Sequence, residues 1–279
     1  MKKVKIKVPA KLNLTLDVLG VEQGYHALKS LVCSVSIYDT VTVSKRKDSD
    51  ITLKTFGIDV GCSEQDNNAY KTAKVFMRTQ NTCGIDVVVN KNIPVGGGLG
   101  GSSADIAGVL KGCKKLFNSD CNLSDLASKL GSDVNYMLNG GYALIEGKGD
   151  KVTPVNAKTK LYFLVVSLDK SVSAKECYKA YDDAGVISAE CTDAAVNLLK
   201  GGDVKSFIGV IKNDLTAPAV KLLPEIEQNL ATLDAVQKGF MTGSGSATYM
   251  VFKSRRKRNV AYNILKHHFG KNLIKAHTV

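Results

Sequence analysis

The sequence predicts an α+β fold divided into two domains, and three observations carry that reading. The chain has 279 residues, a length at which single hydrophobic cores stop growing and chains split. Segments that alternate like strands are mixed with segments of helical period, and the helices come in groups rather than strictly between strands. A weakly patterned polar stretch at about 150–160 interrupts the pattern, so the expected domains are residues 1–155 and 156–279.

In chain order, residues 4–8, 12–19 and 35–44 read as strands from their alternation and β-branched content. Gly20 to His26, with Gly20 and Gly24, reads as a turn. Residues 67–79 predict a helix with Ala69, Ala73, Val75 and Phe76 on its apolar side. Ile85 to Val89 is a short strand, and Pro94 and a glycine cluster follow it. From Ser103 to Phe117, apolar residues recur at Ile106, Val109, Leu110, Cys113, Leu116 and Phe117, which marks an amphipathic helix. A second helix carries Leu123, Leu126, Ala127 and Leu130, with Gly131 as its C-cap. A strand at 142–146 lies between Gly140-Gly141 and Gly147-Lys148-Gly149. Leu161 to Ser167 reads as a buried strand. Helices are expected near 174–182, 190–200, 203–213 and 224–238, then strands around the glycines at 243–245 and a basic terminal helix.

Composition narrows the function classes. At 44% hydrophobic and 23% charged, the chain has the balance of an ordinary globular protein, without repeats or low-complexity tracts. Lysines interrupt the apolar residues of Met1 to Val8, unlike a signal peptide. No stretch approaches the roughly 18 apolar residues of a membrane span. A soluble, cytoplasmic protein is expected. The seven cysteines are odd in number and form no Cys-x-x-Cys pair, so buried, reduced thiols are expected rather than a disulfide frame or zinc site. The net charge of +12 suits either nucleic acid or a field that attracts phosphorylated small molecules. Much of the excess follows Met250, with Lys253, Arg255, Arg256, Lys257 and Arg258 and no acid after them. Aromatic residues are not interleaved there, so a solvated helix face is expected and no nucleic-acid partner.

The segment Pro94-Val95-Gly96-Gly97-Gly98-Leu99-Gly100-Gly101-Ser102-Ser103-Ala104 lies between a strand and a helix. Glycines let backbone N–H groups approach a ligand closely, and the helix start adds free donors and a positive dipole end. Together they make a phosphate cradle. Gly96, Gly98 and Gly101 fit the dinucleotide pattern G-x-G-x-x-G, but the helix after them does not lead into a strand ending in an acid. No Lys-Ser or Lys-Thr follows, so the Walker pattern fails too.

This loop resembles the phosphate loop of the GHMP kinases, the superfamily of galactokinase, homoserine kinase and mevalonate kinase. Pro9-Ala10-Lys11-Leu12-Asn13-Leu14, Gly24-Tyr25-His26 and Leu130-Gly131-Ser132-Asp133-Val134 resemble further motifs. So do Val172-Ser173 with Tyr178, Asn213-Asp214-Leu215 and Met241-Thr242-Gly243-Ser244-Gly245. The order matches members that phosphorylate the 2-hydroxyl of a cytidine diphosphate-linked polyol in isoprenoid biosynthesis, and the likeness spans residues 9 to about 252. It implies the two-domain GHMP-kinase fold, with ATP and the small-molecule substrate in the interdomain cleft and Mg²⁺ arriving with the nucleotide. One departure concerns the loop. Where the family reads Gly-Ser-Ser, this chain has Ser102, Ser103 and Ala104, with Asp105 in register. Ser103 therefore keeps the place of the first serine, and the second is lost or displaced.

The resemblance implies that residues 94 and 96–104 bind ATP, that Asp133 accepts the acceptor's proton, and that Lys11 keeps that carboxylate ionised. Taken alone, Asp133 reads as a helix N-cap, and Lys11 as one surface lysine among many. Lys11 does sit inside a strand that otherwise reads as buried. Asn13, Tyr25, His26, Tyr178, Gly243, Ser244 and Gly245 are the implied substrate-binding residues, with Tyr25, His26 and Tyr178 around the cytosine. Two rivals stay open. One is a GHMP kinase for mevalonate, homoserine or a sugar; the other is a non-catalytic paralogue that binds through its basic surface.

Overall fold

The computed structural model describes residues 2–22, 24–185, 187–188 and 190–279. The predicted turn at 20–26 includes Gln23, which lies outside them. The strands are β1 (Lys3–Asn13), β2 (Asp17–Glu22), β3 (Tyr25–Lys45), β4 (Ile51–Gly57), β5 (Ile85–Lys91), β6 (Tyr142–Gly147), β7 (Lys151–Pro154), β8 (Tyr162–Val166), β9 (Gly239–Met241), β10 (Thr248–Phe252) and β11 (Leu273–His277). The helices are α1 (Asn68–Gln80), α2 (Gly101–Phe117), α3 (Leu123–Ala127), α4 (Val134–Asn139), α5 (Ala174–Ala184), α6 (Thr192–Gly201), α7 (Val204–Val210), α8 (Thr216–Leu222), α9 (Glu225–Asp234) and α10 (Arg255–Phe269). The chain divides into two compact units, and neither is one continuous segment. The first gathers residues up to Ala10, Ile37–Val95 and Gly100–Gly140; the second holds Lys11–Ser36, Gly96–Leu99 and Gly141–Val279.

In the first unit, the second half of β3 pairs antiparallel with β5, Thr40 opposite Asn90 through Lys45 opposite Ile85. Strand β4 pairs parallel with β5. Val41, Val43, Val87 and Val89 are fully buried, as β-branched residues on a covered face should be. Helix α2 lies on that face. It approaches closely because a Cβ on Gly108 would stand 2.6 Å from Val41 Cγ2, and one on Gly112 would stand 2.8 Å from Val43 Cγ2. Helix α1 packs beside it, with the rings of Phe76 and Phe117 6.1 Å apart. The predicted helix through Leu130 stops three residues early. Ser128 Oγ bonds back to the Ser124 carbonyl at 2.9 Å, a local competitor of the helix ladder.

The second unit holds the first half of β3, which pairs antiparallel with β2 and β6, and β6 pairs with β7. A separate antiparallel sheet runs in the order β11-β8-β10-β9. Leu164, Val166, Met250 and Phe252 from this sheet pack with Leu233 of α9 and Ala261 and Leu265 of α10. Leu16, Val18, Cys177, Tyr181, Leu215, Ile226 and Met241 form a further apolar cluster. The basic run is split by burial: Arg255, Arg256 and Lys257 are exposed, whereas Arg258 is buried and donates to the Ala276 carbonyl at 3.1 Å. All seven cysteines are free thiols, but only Cys33, Cys113 and Cys177 are buried; Cys62 and Cys83 are exposed. Burial pushes the Cys113 thiol up to about 12 and that of Cys177 to about 11. Among the described residues, no helix is long and apolar enough to cross a membrane.

Candidate active site

The glycine cluster follows β5 and runs straight into α2. Gly96, Gly98 and Gly100 have φ of 72°, 73° and 73°, a left-handed conformation that side chains with a Cβ resist. Gly100 occupies the N-cap position of α2, where no side chain caps the helix. The first amides of a 17-residue helix therefore emerge from a backbone-only surface. Ser102 and Ser103 stand in the first turn and differ in their surroundings. Asn68 Nδ2 of α1 donates to Ser102 Oγ at 2.6 Å, and Ser103 is the more buried of the two.

Behind the loop lies a charged cluster that the sequence reading did not find. Lys91, at the end of β5, is buried with Asp39 of β3 and Asp105 of α2. Its Nζ donates to Asp39 Oδ2, to Asp105 Oδ2 at 2.7 Å and to the Gly101 carbonyl at 3.4 Å. Asp39 Oδ1 accepts from the amides of Asn92 at 2.6 Å and Ile93 at 2.9 Å. Burial pushes the Asp105 carboxyl up to about 7, against the pull of the Lys91 ammonium. The signal was one of pattern: Asp39 and Lys91 each sit where alternation with Val41, Val43, Val87 and Val89 calls for an apolar side chain.

Asp133 also belongs to the first unit. It occupies the N-cap position of α4, yet its side chain makes no cap hydrogen bond. The capping role that sequence alone allows is therefore not the one this carboxylate performs.

In the second unit, β1 places Lys11 and Asn13 on one face by their period-two spacing. Lys11 is only 5% exposed, and its Nζ donates to Asn13 Oδ1 at 2.5 Å. Asn13 is held on three further sides. Its N–H donates to Thr242 Oγ1 at 2.9 Å, its Nδ2 donates to Ser30 Oγ at 2.8 Å, and its carbonyl accepts from Tyr249 OH at 3.0 Å. The loop residues of this unit join the same group. Lys11 N–H donates to the Leu99 carbonyl at 3.0 Å, and Ala247 N–H donates to the Gly97 carbonyl at 3.2 Å. A Cβ on Gly98 would stand 2.4 Å from the Thr242 carbonyl oxygen. The turn at 243–245 is fixed from behind by Asn213, whose Nδ2 donates to the carbonyls of Met241 at 3.0 Å and Gly243 at 2.8 Å. The fold thus brings Lys11, Asn13, Gly97 to Leu99 and the 243–245 turn together.

The rings expected around a base sit on β3 and α5 of this unit. His26 and Tyr178 are stacked on each other, with centroids 4.6 Å apart and planes inclined by 22°. Asp182, one turn beyond Tyr178, meets His26 Nε2 at 2.8 Å. Tyr25 is 64% exposed, with Lys148 Nζ 5.8 Å from its ring centre. Tyr25 therefore offers an open aromatic face, while the stacked face of Tyr178 is taken up by His26.

Residues 67–144 match the GHMP kinases N terminal domain. The chain is 34% identical to a 4-diphosphocytidyl-2-C-methyl-D-erythritol kinase of Clostridium beijerinckii, over 94% of this chain and 96% of that one. It is 37% identical to the kinase so named of Clostridium botulinum, over the same shares. Among solved structures, a 4-(cytidine 5'-diphospho)-2C-methyl-D-erythritol kinase superposes with a TM-score of 0.81 at 27% identity, over 98% of both chains. The mevalonate kinase of L. major superposes with a TM-score of 0.76 at 13% identity, a likeness of fold alone.

Proposed function

Because the chain belongs to the GHMP kinase family, we propose that it transfers the γ-phosphoryl group of ATP to the 2-hydroxyl of 4-diphosphocytidyl-2-C-methyl-D-erythritol. The observation that carries this reading is the likeness to kinases of that name along nearly the whole chain, not in the loop alone. Phosphoryl transfer asks a protein mainly for positioning and charge compensation. The amides of residues 96–104 and the start of α2 supply the first of these to the phosphates. Asp133 takes the proton of the acceptor hydroxyl or orients it, a role supported by its place in Leu130-Gly131-Ser132-Asp133-Val134. Lys11 polarises the acceptor oxygen, and Asn13 fixes its ammonium in place. Tyr25 offers the platform for the cytosine, and His26 its polar edge.

Mg²⁺ fits as part of the nucleotide: among the described residues, no group of three or more His, Cys, Asp or Glu could cage a metal ion. Bound there, the ion would offset charge on the phosphate oxygens.

Competition by CMP tests the substrate assignment. CMP should compete with the acceptor and not with ATP. Tyr25→Ala should raise KM for the cytidine substrate by about 5- to 150-fold, the worth of one base–aromatic stack. Failure of CMP to compete, with mevalonate or homoserine phosphorylated instead, moves the assignment to another acceptor.

A further inference from the structure

We propose that Asp39, Lys91 and Asp105 form a positioning device for the phosphate-binding loop, clamping the backbone on both of its sides so that the loop holds its nucleotide-binding shape. The proposal rests on the reading of the glycine loop as the ATP phosphate site.

A buried cluster of this kind is not explained by stability. Bringing a lysine and two aspartates out of water costs several kcal/mol per ion, and an apolar trio of similar volume often serves stability equally well. What charged groups add is direction. On the entry side, Asp39 Oδ1 holds the amides of Asn92 and Ile93, the two residues before Pro94. On the exit side, Lys91 Nζ reaches the Gly101 carbonyl in the first turn of α2 and the Asp105 carboxylate just beyond it. The third ammonium hydrogen goes to Asp39 Oδ2 and links the two sides. One lysine thus ties the strand before the loop to the helix after it.

Space at the site leaves little slack. Lys91 is 2% exposed, Asp39 0% and Asp105 5%. A Cβ on Gly101 would stand 3.1 Å from Ile93 Cγ2 and 3.3 Å from Lys91 Nζ, so the helix start is pressed against the cluster. Asp105 Oδ1 is buried without a hydrogen-bond partner. The charged groups that face Asp105 are Lys91 of β5 and Asp39 of β3, so its place is set by those two side chains. A shift of about 1 Å in groups that position a substrate can cost a hundredfold, which is why a loop built from glycines needs such an external clamp.

The test compares Asp105→Ala with Asp105→Asn in the full-length protein, with ATP affinity read by calorimetry and folding by circular dichroism. Asn keeps an oxygen that can accept from Lys91; Ala does not. Asp105→Ala should weaken ATP binding by about 10-fold or more, the scale on which losing an orienting partner acts elsewhere. Asp105→Asn should stay within about threefold of wild type, because the acceptor is restored. CMP affinity should be unchanged in both, which a general loss of structure would not allow. If Asp105→Ala folds and binds ATP like wild type, the clamp is refuted. If it does not fold, amide exchange of the wild type decides. ATP should slow exchange at residues 92–93 and 101–105 more than in α1, and equal protection would refute the clamp. Absence of ATP binding in the wild type would instead remove the nucleotide reading beneath it.

Discussion

Replacing Gly98 with alanine separates two things that a glycine loop can be doing. Gly98 has φ of 73°, and its missing Cβ would stand 2.4 Å from the Thr242 carbonyl oxygen and 3.3 Å from that of Gly245. The left-handed backbone alone costs an alanine about 1–2 kcal/mol. Forcing an extra carbon against a fixed carbonyl adds about 1–3 kcal/mol, so the total is about 2–5 kcal/mol. Gly202, the C-cap of α6, provides the control. Its φ is 76° and a Cβ there meets nothing within 4 Å, so Gly202→Ala should cost only the backbone part. At roughly 2 °C per kcal/mol for a chain of this size, thermal unfolding should fall by about 4–10 °C for Gly98→Ala and about 2–4 °C for Gly202→Ala. ATP affinity should drop in the first variant and hold in the second. Equal melting of the two, with wild-type ATP affinity, would refute both the close packing of Gly98 on Thr242 and the loop's part in binding.

Further outcomes follow from the same geometry. Asp133→Asn should keep its circular dichroism and lose about 10²- to 10⁴-fold in turnover, the usual worth of a positioned base; near-normal turnover would leave Asp133 without a chemical role. Ser103→Ala should raise KM for ATP more than Ser102→Ala, since Asn68 already holds Ser102 Oγ; equal, negligible effects would leave the backbone amides as the phosphate ligands. The raised Asp105 carboxyl also has a pH signature. Between about pH 4 and 7 the folded state keeps a proton that the unfolded chain releases. This contribution is full below about pH 4 and fades as pH rises toward 7, with an upper bound of about 4 kcal/mol. Asp105→Asn should therefore flatten the fall of melting temperature with pH across that window, and an unchanged slope would count against the burial argument.

Much of the fold is legible in the sequence because alternation and helical period reflect burial directly. The strand at 85–89, the helix at 67–79 and the helix at 103–117 match β5, α1 and α2 to within a few residues. The misses have local causes. Strand β4 buries only Leu53, so its pattern is faint. Helix α8 carries Pro218 in its first turn, where proline is tolerated but reads as a breaker. Strand β11 follows a basic helix, with Lys275 and His277 in its short run. Strand β7 falls in the polar stretch that reads as a boundary, yet it pairs with β6.

The candidate site divides in the same way. Local chemistry such as the glycine loop can be read directly, since each left-handed position calls for a glycine. Lys11 and Asn13 are visible as polar residues within a buried strand, but the partners that fix them, Ser30, Thr242 and Tyr249, come from distant segments. In the Asp39, Lys91 and Asp105 cluster, Lys91 and Asp105 flank the same loop, but Asp39 lies 52 residues before Lys91 and only the folded chain brings it to them. The stacking of His26 on Tyr178 is likewise a tertiary fact that residue types alone could not assign.

The most direct test of the kinase reading is ADP release by purified protein supplied with ATP and, in parallel, 4-diphosphocytidyl-2-C-methyl-D-erythritol, mevalonate, homoserine and galactose. Turnover is expected with the cytidine substrate alone, lowered about 10²- to 10⁴-fold by Asp133→Asn. Turnover with mevalonate, homoserine or galactose in its place, or ATP binding without turnover on any of the four, would contradict it.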